Sequence, residues 1–137
     1  MKLSVLANLY GAKTLDETLQ ILTGLGVHTV EIGAGGYPGK AHCDPEKLLA
    51  DEAALAEWLA LFKKYGMEIS NLSVHGNPVH PDAEKAKKYH DDFCNAVLLA
   101  EKIGLDPAVM ASPFISTIVD ALSLLVYFLF AKAILKL

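Results

Sequence analysis

The distribution of charge along the chain is the feature that most constrains its fold. Residues 1–106 contain 10 lysines and 15 acidic residues, whereas residues 107–137 contain one acidic residue and two lysines. From residue 107 to residue 131 the only charged side chain is that of Asp120. This drop in the density of charged residues predicts a water-soluble part followed by a part compatible with a membrane.

The second part has the composition of a single hydrophobic helix. Residues 112–131 are numerous enough to cross a bilayer. Eleven Phe, Ile, Leu and Val residues between positions 114 and 130 contribute about −5 kcal/mol to insertion, against about +3 kcal/mol for Asp120. We therefore expect a transmembrane helix here, and a core helix of a soluble protein is the alternative left open.

The first part follows a repeating pattern of strands and helices. Short runs rich in branched and apolar residues predict strands over residues 3–7, 27–32 and 67–74. Helical periodicity predicts helices beginning at Thr14 and covering residues 46–65 and 82–103, and Thr14 and Glu17 have the spacing of a capping box. The order βαβαβα predicts an α/β fold with a parallel sheet.

Charge and cysteine content exclude several classes of protein. The net charge is −4 and the chain contains no arginine, which argues against a nucleic-acid partner and against bidentate clamping of phosphate. Cys43 and Cys94 lie 51 residues apart without a metal-ligand spacing, so we expect two free thiols in a reducing compartment. The N-terminus lacks the apolar stretch and cleavage site of a signal peptide, which predicts a cytoplasmic first domain.

Polar residues collect where the predicted parallel strands end, and ligands of parallel α/β folds bind at that edge of the sheet. They comprise a carboxylate, two imidazoles and two amides: Asn8, Glu31, His75, Asn77 and His80. Such groups suit a polyhydroxylated ligand or part of a divalent-metal site. The alternative is that they are loop and strand-end residues bonded to the backbone.

Two other motifs carry weaker predictions. The loop GAGGYPG follows a strand but has Pro38 where a dinucleotide-binding loop needs its third glycine, so nucleotide binding is not expected. His42, Cys43 and Asp44 form a short cluster that could ligate a metal, although its spacing is not specific.

Four segments of residues 1–106 resemble the N-terminal part of sugar phosphate isomerase/epimerase proteins, which have the xylose isomerase-like TIM-barrel fold. They are KLSVLANLYG, GVHTVEIGAGGYPGKAHCDP, KKYGMEISNLSVHGNPVHPD and YHDDFCNAVLLAEKIGLD. The resemblance implies a partial barrel of three βα units with the five polar residues at its mouth, binding a sugar or sugar phosphate. It also implies a divalent metal, held in that family mainly by residues of later strands, and an arginine where this chain has Cys94.

The end of the chain carries a second resemblance. Residues 104–137, GLDPAVMASPFISTIVDALSLLVYFLFAKAILKL, are similar to the last transmembrane helix of MgtE-type magnesium transporters. The resemblance implies that Asp120 contacts Mg²⁺ in an assembled pore. One polar stripe runs along this helix, formed by Ser112, Ser116, Asp120, Ser123 and Tyr127. The alternative is that the stripe only packs against other helices.

Together the two resemblances predict a chimera. Residues 1–106 would be a partial xylose isomerase-like domain and residues 107–137 an MgtE-like transmembrane helix, which contacts lipid and could associate with other copies. The predicted function is a truncated isomerase/epimerase-like domain without full activity. The alternative is a membrane component of a Mg²⁺ transporter with Asp120 lining the pore.

Overall fold

The protein is described here by a computed structural model covering residues 3–105 and 112–135, with side chains of residues 119–134 in the last helix. The chain divides into two compact units, Met1–Asp106 and Pro107–Leu137. The elements of the first unit are strands β1 (Ser4–Leu6), β2 (Thr29–Gly36) and β3 (Glu68–His75), a 3₁₀ turn (Ala7–Tyr10), and helices α1 (Leu15–Gly24), α2 (Pro45–Ala50), α3 (Glu52–Tyr65) and α4 (Ala83–Lys102). Helix α5 (Ser112–Leu135) belongs to the second unit.

The three strands form one parallel sheet in the order β1-β2-β3. The predicted strands and their parallel pairing are therefore present. Strand β2 is longer than predicted and continues through the glycines to Gly36, which pairs with His75. The register shifts twice between β2 and β3, between Val30 and Glu31 and between Gly33 and Gly35.

Local signals account for the helix boundaries. The predicted capping box of α1 is present, because Thr14 Oγ1 accepts a hydrogen bond from Glu17 N while the Glu17 carboxylate accepts one from Thr14 N. The single helix predicted over residues 46–65 is instead two helices. Asp51 lies between them in an extended conformation and caps α3, its carboxylate accepting hydrogen bonds from Ala53 N and Ala54 N.

One face of the sheet is apolar and covered by a helix. Val30, Ile32 and Leu72 are at most 2% exposed, and α4 packs on β2 and β3. Helix α4 contributes Ala96, Leu99 and Ala100, all fully buried. The residues that alternate with the buried ones along each strand lie on the other face of the sheet.

The predicted transmembrane helix is wrong, and with it the predicted fold class and the predicted membrane-associated localisation. In the parts of the chain that the structure describes, no helix is both long enough and apolar enough to cross a membrane. Asp120 and Lys132 leave an uncharged run of residues 121–131 between them, about 16 Å at the helical rise of 1.5 Å per residue. The hydrocarbon core of a bilayer is about 30 Å thick.

The predicted partial TIM-barrel-like fold is also wrong. The described residues form a mixed α/β arrangement of five α-helices and a small open sheet, whose edges are β1 and β3. Three strands are too few to close, because the barrel of this type has eight. The sheet therefore has two free edges within the described residues.

Helix α5 exposes the apolar side chains that the structure describes. The large apolar side chains between residues 119 and 134 are each exposed by half or more. Asp120, Ser123 and Tyr127 of the predicted polar stripe are also exposed. The side chains of Ser112 and Ser116, which complete that stripe, lie outside the described residues.

Candidate functional site

Asn8 lies in the 3₁₀ turn that directly follows β1, and its side chain reaches across to β2. A Cβ on Gly33 would lie 2.4 Å from Asn8 Oδ1, so only glycine leaves room for this amide. Asn8 Nδ2 donates a hydrogen bond to the carbonyl oxygen of Pro38 in the loop after β2. The side chain therefore ties the end of β1 to the following loop at the carboxyl edge of the sheet.

Glu31 is the third residue of β2 and lies deeper in the sheet than predicted, because β2 continues to Gly36. In the register it stands between Leu6 of β1 and Asn71 of β3, and its side chain is half-buried. Residues two apart on a strand share a face, so Glu31 lies on the same face as Gly33 and the Asn8 amide above it.

Hydroxyl and amide groups continue this face towards the amino edge of the sheet. Ser70 Oγ lies 2.8 Å from Ser4 Oγ, and its single hydroxyl proton is within hydrogen-bond distance of two acceptors, Asn71 Oδ1 at 2.9 Å and the Val30 carbonyl oxygen at 3.1 Å. We call Ser4, Asn8, Glu31, Ser70 and Asn71 the polar face of the sheet. It contains side chains from three separate segments of the chain, and Glu31 is its only ionisable group.

The three predicted site residues at the end of β3 and in the loop after it have different environments. His75 is exposed at the end of β3, where its carbonyl oxygen accepts a hydrogen bond of 2.7 Å from Tyr37 N. Asn77 Oδ1 accepts from Val79 N, and His80 Nδ1 accepts from Asp82 N. Asn77 and His80 therefore shape the loop, as the alternative prediction of backbone-bonded residues describes, while the His75 side chain is open to solvent.

An aromatic pair beside His75 was not singled out from the sequence as part of the site. The rings of Tyr37 and Tyr89 have centroids 5.5 Å apart and planes inclined by 50°, and Tyr37 is 71% exposed. Tyr89 lies against the backbone of Gly76, where a Cβ would be 2.3 Å from the ring. A side-chain hydrogen bond with Tyr37 raises the pKa of the Tyr89 phenol above its usual value. The signal in the sequence was the tyrosine within GAGGYPG, directly after a strand.

A buried ion pair connects α4 to the loop after β2, and the sequence analysis missed it. Asp92 is 4% exposed; its Oδ1 lies 2.7 Å from Lys40 Nζ and its Oδ2 accepts a hydrogen bond of 3.0 Å from Gly36 N. Asp44 Oδ1 lies 3.8 Å from the same ammonium. Burial raises the pKa of Asp92, but the bonds from Lys40 and Gly36 outweigh burial and hold that pKa below its usual range.

The His42–Cys43–Asp44 cluster has the environment of a structural element. His42 is buried, its Nε2 lies 3.0 Å from the Lys13 carbonyl oxygen, and its own carbonyl oxygen accepts a hydrogen bond from Trp58 Nε1. Burial, followed by the charge of Asp44, raises the pKa of the Cys43 thiol to about 12. Within residues 3–105 and 112–135 no group of three His, Cys, Asp or Glu side chains could hold a metal ion.

A shallow depression lies at the opposite, amino edge of the sheet. It has a volume of about 230 Å³ and is lined by Leu3, Gly26, His28, Thr29 and Glu68. None of the predicted site residues lines it. Because ligands of parallel sheets bind at the carboxyl edge, we take the polar face, His75 and the two tyrosines as the candidate site.

Comparison with known proteins supports the second resemblance in part. Residues 94–130 match the family model of MgtE, described as a divalent cation transporter. This match begins within α4 and covers just over a quarter of the chain. The match is to MgtE and not to a sugar isomerase or epimerase family, so the resemblance stated for residues 1–106 stays a prediction.

One curated relative spans most of the chain. The uncharacterized protein YfiH of Bacillus subtilis (strain 168) is 28% identical over 112 residues, which cover 82% of this chain and 36% of that protein. The chain therefore spans about a third of the length of this relative. The name of this relative assigns it no activity.

Proposed function

We propose that residues 3–105 bind a sugar or sugar phosphate at the carboxyl edge of the sheet. The observation that carries the proposal is the register, which aligns Glu31 with Asn71 and leaves the Asn8 amide above Gly33 on the same face. Three polar side chains, from β2, β3 and the turn after β1, thus share one surface. The resemblance of the same residues to sugar phosphate isomerase/epimerase proteins supports the choice of ligand class.

The chemistry of these groups suits a polyol. A carboxylate accepts hydrogen bonds from neighbouring hydroxyls, and an asparagine amide both donates and accepts. The exposed ring of Tyr37 offers a flat apolar surface for the C–H groups of a sugar ring, and its backbone N–H is bonded to the His75 carbonyl oxygen at the end of β3. Small-molecule sites combine such apolar surfaces with a few placed polar groups.

We assign binding, and no turnover, to this site. A divalent metal is expected for the isomerase family, but the described residues do not fit one, because no three suitable side chains come together in them. No metal-dependent step is therefore assigned to Glu31 or His75. The matched relative is nearly three times the length of the aligned segment, since the alignment covers 36% of it.

Replacing Glu31 by glutamine tests the proposal. The change keeps the size of the side chain and removes its charge, so it should weaken binding of D-xylose or D-fructose 6-phosphate at least tenfold, since bonds to a charged acceptor are worth about 1.5–3 kcal/mol. Titration calorimetry of the full chain measures this. Glu57→Gln, on the exposed surface of α3, is the matched control. Equal affinity of the two variants would contradict the role of Glu31.

A second candidate function concerns Asp120, which is exposed on α5 and lies within the segment that matches MgtE. We propose that Asp120 binds Mg²⁺ only when several copies of the chain bring their carboxylates around one hydrated ion. Mg²⁺ demands octahedral oxygen ligands and keeps several waters, so one carboxylate binds it weakly. The match to a family of divalent cation transporters supports this assignment.

Sedimentation velocity tests the second candidate. Millimolar Mg²⁺ should increase the associated fraction of the full chain, and Asp120→Asn should abolish the increase. Na⁺ at equal ionic strength is the control for general screening of charge. Association that does not increase with Mg²⁺, or a Mg²⁺-dependent increase that persists in Asp120→Asn, would exclude Asp120 as the ligand.

A further inference from the structure

Helix α4 carries a histidine and a cysteine whose side chains contact each other on its surface. Cys94 Sγ lies 3.6 Å from His90 Nε2, and the two residues are four apart, which places them on one face of the helix. His90 is exposed and Cys94 is half-buried. Neither belongs to the polar face or to the buried ion pair of Asp92.

The distance between the two atoms matches that of two ligands on one tetrahedral zinc ion. With Zn–S of about 2.3 Å, Zn–N of about 2.0–2.1 Å and a tetrahedral angle, the sulfur and nitrogen of two ligands lie about 3.5 Å apart. The observed separation of 3.6 Å needs almost no rearrangement. Helix α4 is 20 residues long and Asp82 caps its start, so both ligands lie within a regular helix.

The geometry points to a two-ligand site for Zn²⁺ at His90 and Cys94, with water in the remaining positions. Sulfur and imidazole nitrogen favour zinc over magnesium, which prefers oxygen. Binding forms one Zn–N and one Zn–S bond, leaves two waters on the tetrahedral ion and releases the other waters of the hydrated ion and the Cys94 thiol proton to solvent. Lys87, one turn earlier, is paired with Asp91, which offsets its repulsion of the cation.

The adjacent His42 and Cys43 do not offer such a site. Cys43 is 3% exposed and His42 is bonded to the Lys13 carbonyl oxygen. A thiol reagent therefore reports on Cys94 in the native protein, because burial keeps Cys43 protonated and inaccessible. This difference makes the site measurable without removing Cys43.

The test is the rate of alkylation of Cys94 by iodoacetamide in the native full chain, with and without Zn²⁺. Saturating Zn²⁺ should slow alkylation at least tenfold, because a zinc-bound thiolate is a poor nucleophile, and millimolar Mg²⁺ should have no effect. His90→Gln should remove the protection while leaving the rate without zinc within about twofold. His28→Gln, at another exposed histidine, should retain it.

Binding of Co²⁺ gives a second readout, since sulfur-to-cobalt charge transfer produces near-ultraviolet absorption. That absorption should be lost in Cys94→Ser and in His90→Gln and kept in His28→Gln. Equal protection of Cys94 in the wild type and in His90→Gln would overturn the site. The absence of both protection and absorption at millimolar metal would overturn it as well.

Discussion

Replacing Gly36 by alanine is expected to lower the free energy of unfolding by about 4 kcal/mol. Gly36 has φ = +62°, and an added Cβ would lie 2.0 Å from the His75 carbonyl oxygen. The left-handed conformation costs a non-glycine residue about 1–2 kcal/mol, and overpacking against neighbouring atoms adds about 1–3 kcal/mol. The obstructing atom belongs to the backbone of β3, which cannot move aside without breaking the strand pairing.

Gly39→Ala is the matched control for this prediction. Gly39 lies three residues after Gly36, in the loop that follows β2, with φ = +75°, but nothing lies within 4 Å of an added Cβ. The free energy of unfolding of Gly39→Ala should therefore fall only by the cost of the left-handed conformation, about 1–2 kcal/mol. Urea unfolding followed by circular dichroism compares the two variants, and equal midpoints would show that the β2–β3 contact at Gly36 is not as close as described.

Replacing Asp92 by alanine should destabilise the first unit by about 3 kcal/mol. The change leaves the Lys40 ammonium without its nearest partner and the Gly36 N–H without an acceptor. Removing one partner of a buried ion pair costs about 3–5 kcal/mol, and we expect the lower end because the Lys40 side chain is 28% exposed. Such a loss is a large share of the stability of a small domain.

The pH dependence of the free energy of unfolding should show that the charges of Asp92 and Lys40 stabilise the fold. The folded-state pKa of Asp92 lies below its usual value of 3.8, so its contribution is present above that pH and is lost as pH falls through the folded-state pKa. Burial lowers the pKa of Lys40, but Asp92 raises it above 10.5 overall, so that contribution is lost as pH rises through the raised pKa. The free energy of unfolding of the wild type should exceed that of Asp92→Ala most clearly between the folded-state pKa values of Asp92 and Lys40.

The neighbouring residue supplies the control for Asp92. Asp91 pairs with Lys87 on the exposed side of α4. Exposed pairs contribute little to stability because water and salt screen them. Asp91→Ala should therefore leave the urea midpoint nearly unchanged, and a loss as large as that of Asp92→Ala would contradict the assignment of the buried pair.

Elements defined by local chemistry could be predicted from the sequence. Thr14 and Glu17 cap a helix with groups three residues apart, and the branched residues after Gly26 form a strand as expected. Helix α4 begins and ends within one residue of its prediction. These features depend on contacts within a few positions along the chain.

Features that depend on distant residues could not be predicted. The glycines after Ile32 suggested a loop, yet they continue β2 because Asn8, Asp92 and the His75 backbone approach them closely. Phe93 lies three residues before the fully buried Ala96, a spacing that would place it on the same helix face, yet it is 44% exposed. No local pattern distinguishes Asp92, which is buried, from Asp91 beside it.

In the candidate site, too, residue types could be predicted from the sequence, whereas their arrangement depends on distant residues. The residue types at the carboxyl edge were recognised, but the depth of Glu31 in β2 and the loop-forming bonds of Asn77 and His80 became visible only with the fold. Asn71 and the Tyr37–Tyr89 pair join the site through strand register and a helix contact. In α5 the prediction rested on a summed hydropathy that counted Asp120 as unfavourable by about 3 kcal/mol, yet no helix of the described residues is long and apolar enough to cross a membrane.

The central claim is that the first unit binds a sugar at the carboxyl edge of its sheet. Amide chemical shifts of the ¹⁵N-labelled full chain, followed during titration with D-xylose and with D-fructose 6-phosphate, test it most directly. The account predicts shifts confined to the amides around Glu31, Tyr37 and His75, and none at Gly26, His28 and Thr29 in the depression at the amino edge. Shifts at the amino edge, or none with either sugar at millimolar concentration, would contradict it.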